Sequence, residues 1–230
     1  MGSDKVEQAK PSEAATNVVV FDFDGTLVSR DSFFYFAVGY CTARPGRLLL
    51  VIALLPLALA LALRSWKSGV SVLLWAMTVG ASTRSFALAL NHYARHTLPG
   101  YANDAIFVEL ARHIQAGSRV VIATGTMPVL VRGLLSVRNL RPLPIVGSRV
   151  RRSWGGLVAE THCIGRAKVR ELRRKLDILE WSTVYTDSFA DRSLLSRARD
   201  IILVSPSKRT LLRTQRLIDR ATALRVLRPG

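Results

Sequence analysis

The sequence predicts an α/β protein: a doubly wound, Rossmann-like parallel sheet with a helical, apolar cap inserted after the first strand. Two observations carry that expectation. Short apolar runs rich in β-branched residues alternate with helical stretches along most of the 230 residues, the pattern of buried parallel strands joined by crossover helices. Between positions 31 and 100 the alternation stops, and long apolar helical stretches take over with no strand signal. A chain of this length with 49% hydrophobic residues can bury one sizeable core, or one core plus a small insert.

The first strand is expected at 17–23 (NVVVFDF), an apolar run that stops at Gly25, where the chain can turn sharply. Positions 118–124 (SRVVIAT), 182–186 (STVYT) and 200–204 (DIILV) have the same character. A helix at 102–115 precedes the second strand, one at 127–140 follows it, and one at 166–179 precedes the third. Positions 144–160 hold WGG among β-formers and predict a small hairpin. The expected organisation is a polar, disordered lead at 1–16, a core from 17–30 and 101–230, and a helical cap at 31–100. The lead lacks the basic-then-apolar pattern of a signal peptide, which favours a cytoplasmic start.

Within the insert, 48–63 (LLLVIALLPLALALAL) runs sixteen residues without a charge between Arg47 and Arg64, and 70–81 (VSVLLWAMTVGA) follows after RSWKSG. A core helix of a small domain shows a polar stripe; this one shows none, which favours contact with lipid. Sixteen residues fall short of the roughly 20 that cross a bilayer core, and Pro56 is expected to kink or interrupt the helix. A chain whose two flanks build one site also cannot cross the membrane an odd number of times. The expectation is therefore a monotopic, membrane-dipping hairpin at about 48–81 on the cytoplasmic face of the membrane. Arg47, Arg64 and Lys67 would hold its ends, with Trp66 and Trp75 as interfacial anchors.

Lys and Arg total 33 against 16 Asp and Glu, a formal charge of +17. Such a balance predicts attraction to polyanions: nucleic acid, an anionic bilayer face or phosphorylated substrates. Nucleic-acid binding is not expected, because no binding module is recognisable and the aromatics show no stacking pattern. Cys41 and Cys163 lie far apart and in no metal-ligand spacing, so no disulfide framework is expected. His92, His96, His113 and His162 form no metal spacing either.

The chemistry concentrates in FDFDGTL, from Phe21 to Leu27. Residues two apart on a strand point the same way, which puts the carboxylates of Asp22 and Asp24 on one face at the strand's end. Two carboxylates that close repel unless a cation holds them or one is protonated. Mg²⁺, a hard ion that prefers oxygen, answers that problem. DFDGTL resembles the first motif of the haloacid dehalogenase superfamily of phosphohydrolases. Three further motifs of that superfamily have counterparts in order: Thr124 ending the strand in VVIATGT, Lys168 opening a helix in CIGRAKVREL, and Asp187 with Asp191 in VYTDSFAD.

The resemblance implies a Mg²⁺-dependent phosphatase. Asp22 would be the nucleophile, forming an aspartyl-phosphate, and Asp24 the general acid and then base. The Thr124 hydroxyl and the Gly125 amide would donate hydrogen bonds to the phosphoryl oxygens, and Lys168 would neutralise their charge. Mg²⁺ would be held by Asp22, the main-chain carbonyl of Asp24 and Asp187, with Asp191 supporting it or orienting Lys168. A helical insert just after the first motif is similar to the cap placement of the phosphoserine-phosphatase-like branch, although that branch often has serine where this chain has Thr124.

Asp31-Ser32-Phe33, the leucine-rich stretch and Cys163-Ile164-Gly165 resemble one subgroup there, the phosphatidylglycerophosphatase C-like proteins. That implies an anionic phospholipid substrate, phosphatidylglycerophosphate, met at a membrane surface, with arginines such as Arg149, Arg151 and Arg152 helping to dock on it. The alternatives are a phosphatase of a small soluble monoester such as phosphoserine and, more remotely, a non-catalytic basic protein that binds membrane or nucleic acid.

Overall fold

A computed structural model describes residues 17–218 and 222–228; the disordered lead expected at 1–16 lies outside the described residues. The chain begins with strand β1 (Val18–Phe21) and passes into four helices, α1 (Ser32–Thr42), α2 (Pro45–Arg64), α3 (Trp66–Thr78) and α4 (Thr83–His96). Helix α5 (Asp104–Gln115), strand β2 (Arg119–Ala123), helix α6 (Pro128–Val137) and the two-residue strand β3 (Ile145–Val146) follow. Strands β4 (Arg149–Ser153) and β5 (Gly156–Thr161) make an antiparallel hairpin of their own. The remainder alternates: α7 (Arg166–Leu176), β6 (Trp181–Thr186), the short α8 (Arg192–Leu195), β7 (Ala198–Val204), α9 (Lys208–Leu217) and β8 (Ala223–Leu227).

Six of these strands form one parallel sheet in the order β3-β2-β1-β6-β7-β8. The order reverses between β1 and β6, and ligands of open α/β sheets bind at such a switch point, beyond the carboxyl ends of the strands. The unbroken apolar run of β1 is what a doubly covered strand requires. Val18 and Val20 pack on one face with Val121, Leu172, Leu194 and Leu203. Val19 and Phe21 pack on the other with Ile106, Val120, Ile122 and Leu130. Helices therefore cover both faces, as the fold class requires.

Several local expectations shift. The β1 ladder stops at Phe21 rather than Phe23: Asp22 still donates its N–H to Tyr185 O at 2.9 Å, but Thr26 and Val28 both donate to Phe23 O and turn the chain away. The geometry that carries Asp24 is thus a turn and not a strand. Strand β8 was not anticipated, because Arg225 interrupts an already short apolar pattern and most of its residues are at least partly exposed, as an edge strand permits.

Pro56 does not interrupt α2, which runs 20 residues from Pro45, whose fixed φ suits a first helical position. The helix is about 30 Å long at 1.5 Å per residue, longer than the uncharged run. Much of its surface is exposed: Leu48 and Val51 pack against the core, but Ala58 is the one fully buried residue within it, and an 18-residue window of mean hydropathy 2.4 is 6% buried. The apolar segment after it behaves differently. In α3, Leu74, Ala76, Met77 and Thr78 are buried, and the helix is stitched to the β4–β5 hairpin. Leu157 N donates to Thr78 Oγ1 at 2.8 Å, Ala159 N to Ser71 Oγ at 3.2 Å, and Trp75 Nε1 to Trp154 O at 2.9 Å. So α3 and Trp75 are packing elements, while α2, Trp66 (62% exposed) and Trp154 (92% exposed) face outward.

Helices α2 and α3 pack tightly at Gly69, where an added Cβ would sit 2.5 Å from Ala58 O and 2.7 Å from Ala62 Cβ. Main-chain atoms cannot give way as a flexible side chain can. Gly69→Ala is expected to part the two helices and lower stability by about 1–3 kcal/mol. Chemical denaturation beside the wild type reads this; an unchanged midpoint would show that α2 floats free of α3.

Candidate active site

The expected residues gather beyond the carboxyl ends of β1, β2 and β6. Lys168 is 3% exposed, three residues into α7 counting Arg166 as the first, and its Nζ lies 2.8 Å from both Asp22 Oδ1 and Asp191 Oδ2. A lysine that deeply buried needs paired anions to remain charged. Burial works against the Lys168 ammonium, but the Asp22 and Asp191 carboxylates outweigh it and hold its pKa above the ordinary value. Of the two roles left open for Asp191, contact with Lys168 is the one the geometry has. Asp191 is itself held by the Thr186 hydroxyl at 2.9 Å.

Asp22 accepts from Lys168 and from the N–H of Phe23 at 2.7 Å, both at Oδ1. Asp24 turns elsewhere: its Oδ1 accepts the N–H of Ser32, at the start of α1, at 2.7 Å. The Ser32 hydroxyl lies 3.3 Å from Thr126 Oγ1, and Thr126 N donates to Thr124 Oγ1 at 3.0 Å. A chain of hydrogen bonds therefore links Asp24 to Thr124 through Ser32 and Thr126. Because Thr124 Oγ1 is the acceptor in that chain, its own proton stays free for an incoming oxygen.

Gly125 is fixed from a third side. Ser148 Oγ donates to Gly125 O at 2.6 Å and accepts from Cys163 N at 2.9 Å, fastening the loop after β2 to the loop before α7. Asp187 lies against Gly25. With φ at +74°, Gly25 holds a conformation that side chains rarely adopt, and a Cβ there would fall 2.4 Å from the Asp187 carboxyl carbon. The sequence suggested only a turn at Gly25; the close approach of Asp187 is a second requirement.

Ser32, Thr126, Ser148 and Thr186 are residues of the site to which the sequence alone assigns no role. Ser32 had a signal, since it sits in the noted Asp31-Ser32-Phe33. Ser148 and Thr186 had none, because hydroxyl residues at loop edges are common. His113 pairs with the Tyr185 hydroxyl at 2.9 Å, a packing role. Cys163 is buried, and burial pushes its thiol up to about 11, which leaves it inert.

The electrostatics of the cluster are unbalanced. Burial raises Asp22 despite the nearby Lys168, pushes Asp24 up to about 6 against the opposing Ser32 hydrogen bonds, and pushes Asp187 up to about 6. One ammonium faces more buried carboxylate than it can neutralise. That donor set suits a hard cation. Among the described residues no three His, Cys, Asp or Glu side chains converge in a metal cage. Two carboxylates plus a carbonyl is the sparse set that Mg²⁺ accepts, because it keeps several waters.

Gly25→Ala is expected to displace Asp187 and cut turnover by about 10²-fold, the order of loss from a misplacement of about 1 Å at a reacting centre. Steady-state kinetics with far-UV circular dichroism would check it, and unchanged kcat with intact fold would refute the crowding at Gly25.

Comparison with known proteins places the chain in a family and a fold. The sequence profile of the haloacid dehalogenase-like hydrolases matches residues 19–196. A Bordetella pertussis Tohama I protein of unknown function superposes with a TM-score of 0.70 at 17% identity, over 91% of this chain and 98% of that one. A phosphoserine phosphohydrolase-like protein from Francisella tularensis gives 0.59 at 14%, over 91% and 94%. An apo phosphoserine phosphatase gives 0.57 at 15%, over 91% and 93%. These structures share the fold with this chain. The profile match covers well over half of the chain, and the chain belongs to the haloacid dehalogenase-like hydrolases.

Proposed function

We propose that this hydrolase is a Mg²⁺-dependent phosphomonoesterase that dephosphorylates phosphatidylglycerophosphate at the cytoplasmic face of a membrane. The observation that carries the lipid reading is α2, an exposed helix of mean hydropathy 2.4 in the same helical layer whose first residue, Ser32, is bonded to Asp24. A soluble monomer seldom leaves so large an apolar surface bare. A surface of that kind beside a phosphate site brings the site to a headgroup.

The chemistry follows from the side chains. Asp22, whose hydrogen bonds occupy Oδ1, attacks phosphorus with its other carboxylate oxygen; the ester P–O bond breaks as the acyl-phosphate bond forms. Asp24, with its pKa raised to about 6, gives the leaving oxygen a proton near neutral pH. It then takes a proton from the water that hydrolyses the acyl phosphate, releasing inorganic phosphate and restoring Asp22. Thr124 and the Gly125 amide donate to the phosphoryl oxygens, and Lys168 offsets their charge while staying anchored by Asp191. Asp22, the Asp24 carbonyl and Asp187 would hold Mg²⁺, which when bound supplies further neutralisation of phosphoryl charge.

A second reading is a soluble monoester such as phosphoserine, supported by the fold shared with the phosphoserine phosphatase and the phosphohydrolase-like protein. Phosphate release from detergent-dispersed phosphatidylglycerophosphate and from phosphoserine, with Mg²⁺ or EDTA and an Asp22→Asn control, separates the two. Release from the lipid that EDTA stops, Mg²⁺ restores and Asp22→Asn abolishes is the expected result. Release from phosphoserine alone would remove the lipid reading.

The apolar face has its own test. Ile52 and Leu59 are 55% and 59% exposed, so Ile52→Glu with Leu59→Glu leaves the core intact. Hydrolysis of the lipid should fall about tenfold or more, since charged residues on an interfacial apolar face oppose insertion, while hydrolysis of a water-soluble aryl phosphate stays unchanged. Equal loss on both substrates would assign α2 a structural role instead.

A further inference from the structure

The layer formed by α7, α8 and α9 carries two adjoining clefts. The first, of about 490 Å³, starts at the residues flanking the catalytic loops, Gly165 and Ser188, and is lined by Arg166, Arg192, Arg209 and Arg213. The second, of about 570 Å³, shares Arg166 and Arg192 and adds Arg170, Arg173 and Arg197. All seven arginines are exposed. Among the described residues none of the seven takes part in an ion pair, whereas Arg112, Arg138, Arg149 and Arg174 all do. Seven uncompensated guanidinium groups converging on one groove repel each other, and a chain stores such repulsion where an anion relieves it.

Two features of the groove say which anion. The first cleft also collects the N-terminal ends of α7 and α9, at Gly165, Arg166, Arg209 and Thr210, where helix dipoles favour phosphate. The second is also lined by aliphatic groups, with Leu179 49% and Leu217 37% exposed. Among the described residues Phe189 is the one aromatic along the two clefts, and its ring already faces the Arg213 guanidinium at 5.7 Å, so there is no series of platforms on which successive bases could stack. A cleft that combines guanidinium and aliphatic groups matches the phosphodiester headgroups of a bilayer better than it matches a nucleic acid.

We propose that this groove is a docking surface for the anionic headgroups of a bilayer, separate from the catalytic site and from the apolar face of α2. It rests on the membrane half of the function proposed above, but not on lipid hydrolysis. The groove supplies charge-dependent attraction that does not require insertion of α2.

The test is vesicle sedimentation of the full chain with phosphatidylcholine vesicles, with and without phosphatidylglycerol as the anionic component. The variants are Arg170→Gln/Arg173→Gln/Arg197→Gln in the second cleft and Arg209→Gln/Arg213→Gln in the first. With about 1 kcal/mol for each basic residue near an anionic surface, the triple variant should bind anionic vesicles about 150-fold more weakly and the double variant about 30-fold. Binding to neutral vesicles and turnover of an aryl phosphate should be unchanged in both, and added salt should weaken wild-type binding to the anionic vesicles. Both variants binding anionic vesicles as the wild type does would overturn the proposal even if the lipid is hydrolysed. Normal loss in the variants without any lipid hydrolysis would uphold the groove and remove the lipid substrate. If the variants lose a single-stranded oligonucleotide and keep the vesicles, the groove is a nucleic-acid site and the proposal fails.

Discussion

Lys168 is the point on which the rest of the site depends. Its ammonium is buried at 3% exposure and bridges Asp22 on the chain after β1 and Asp191 on the turn after β6, each at 2.8 Å. Removing an ammonium from water costs several kcal/mol unless anions take over its solvation. The three groups are therefore stable only together, which fixes the end of β1, the start of α7 and the β6–α8 connection relative to one another. Thr186 extends the constraint. Its hydroxyl bonds Asp191 and also accepts Ser188 N at 3.2 Å, shaping the turn that presses Asp187 against Gly25. A parallel sheet brings these segments to one end; the buried charges decide where within it each one stops.

The helical layer after β1 is tied to that arrangement at one small residue. Ser32 presents its N–H to Asp24 and its hydroxyl to Thr126, so α1 begins at the site itself. From there α2 turns its leucines outward, while α3 is consumed by packing against the β4–β5 hairpin. Gly133 of α6 lets α4 approach until an added Cβ would meet Ala94 Cβ at 2.5 Å, which seats the layer on the core. The two apolar helical segments thus have opposite uses. One stabilises the fold by burial, and the other is an unburied surface that calls for a lipid environment to cover it.

Much of this was legible before any coordinates. The strands β1, β2, β6 and β7 were visible because a doubly covered parallel strand must be apolar on both faces, and β-branched residues mark it. Asp22 and Asp24 were visible as two carboxylates at the end of an apolar strand, whereas Thr124, Lys168 and the Asp187–Asp191 pair stood out only through the resemblance of their segments, in order, to the family's motifs. Less legible were β3, with two residues, and β8, with Arg225 at its centre, since edge strands tolerate polar and short sequences. Ser148 and Thr186 carry no sequence signal at all: a hydroxyl earns its meaning from what it faces.

The sequence by itself determined the class of fold, because hydrophobic period is a local property of a chain, and the order of its motif segments marked the residues expected to carry the chemistry. Tertiary structure alone decided which carboxylates share Lys168, that Asp24 pairs with Ser32 rather than standing beside Asp22, and that α3 is interior while α2 is largely exposed. It also brought arginines from α7, α8 and α9 to line one groove. These are matters of which distant residues meet, and a contact between positions far apart along a chain is set by the packing of whole elements, which no local pattern encodes.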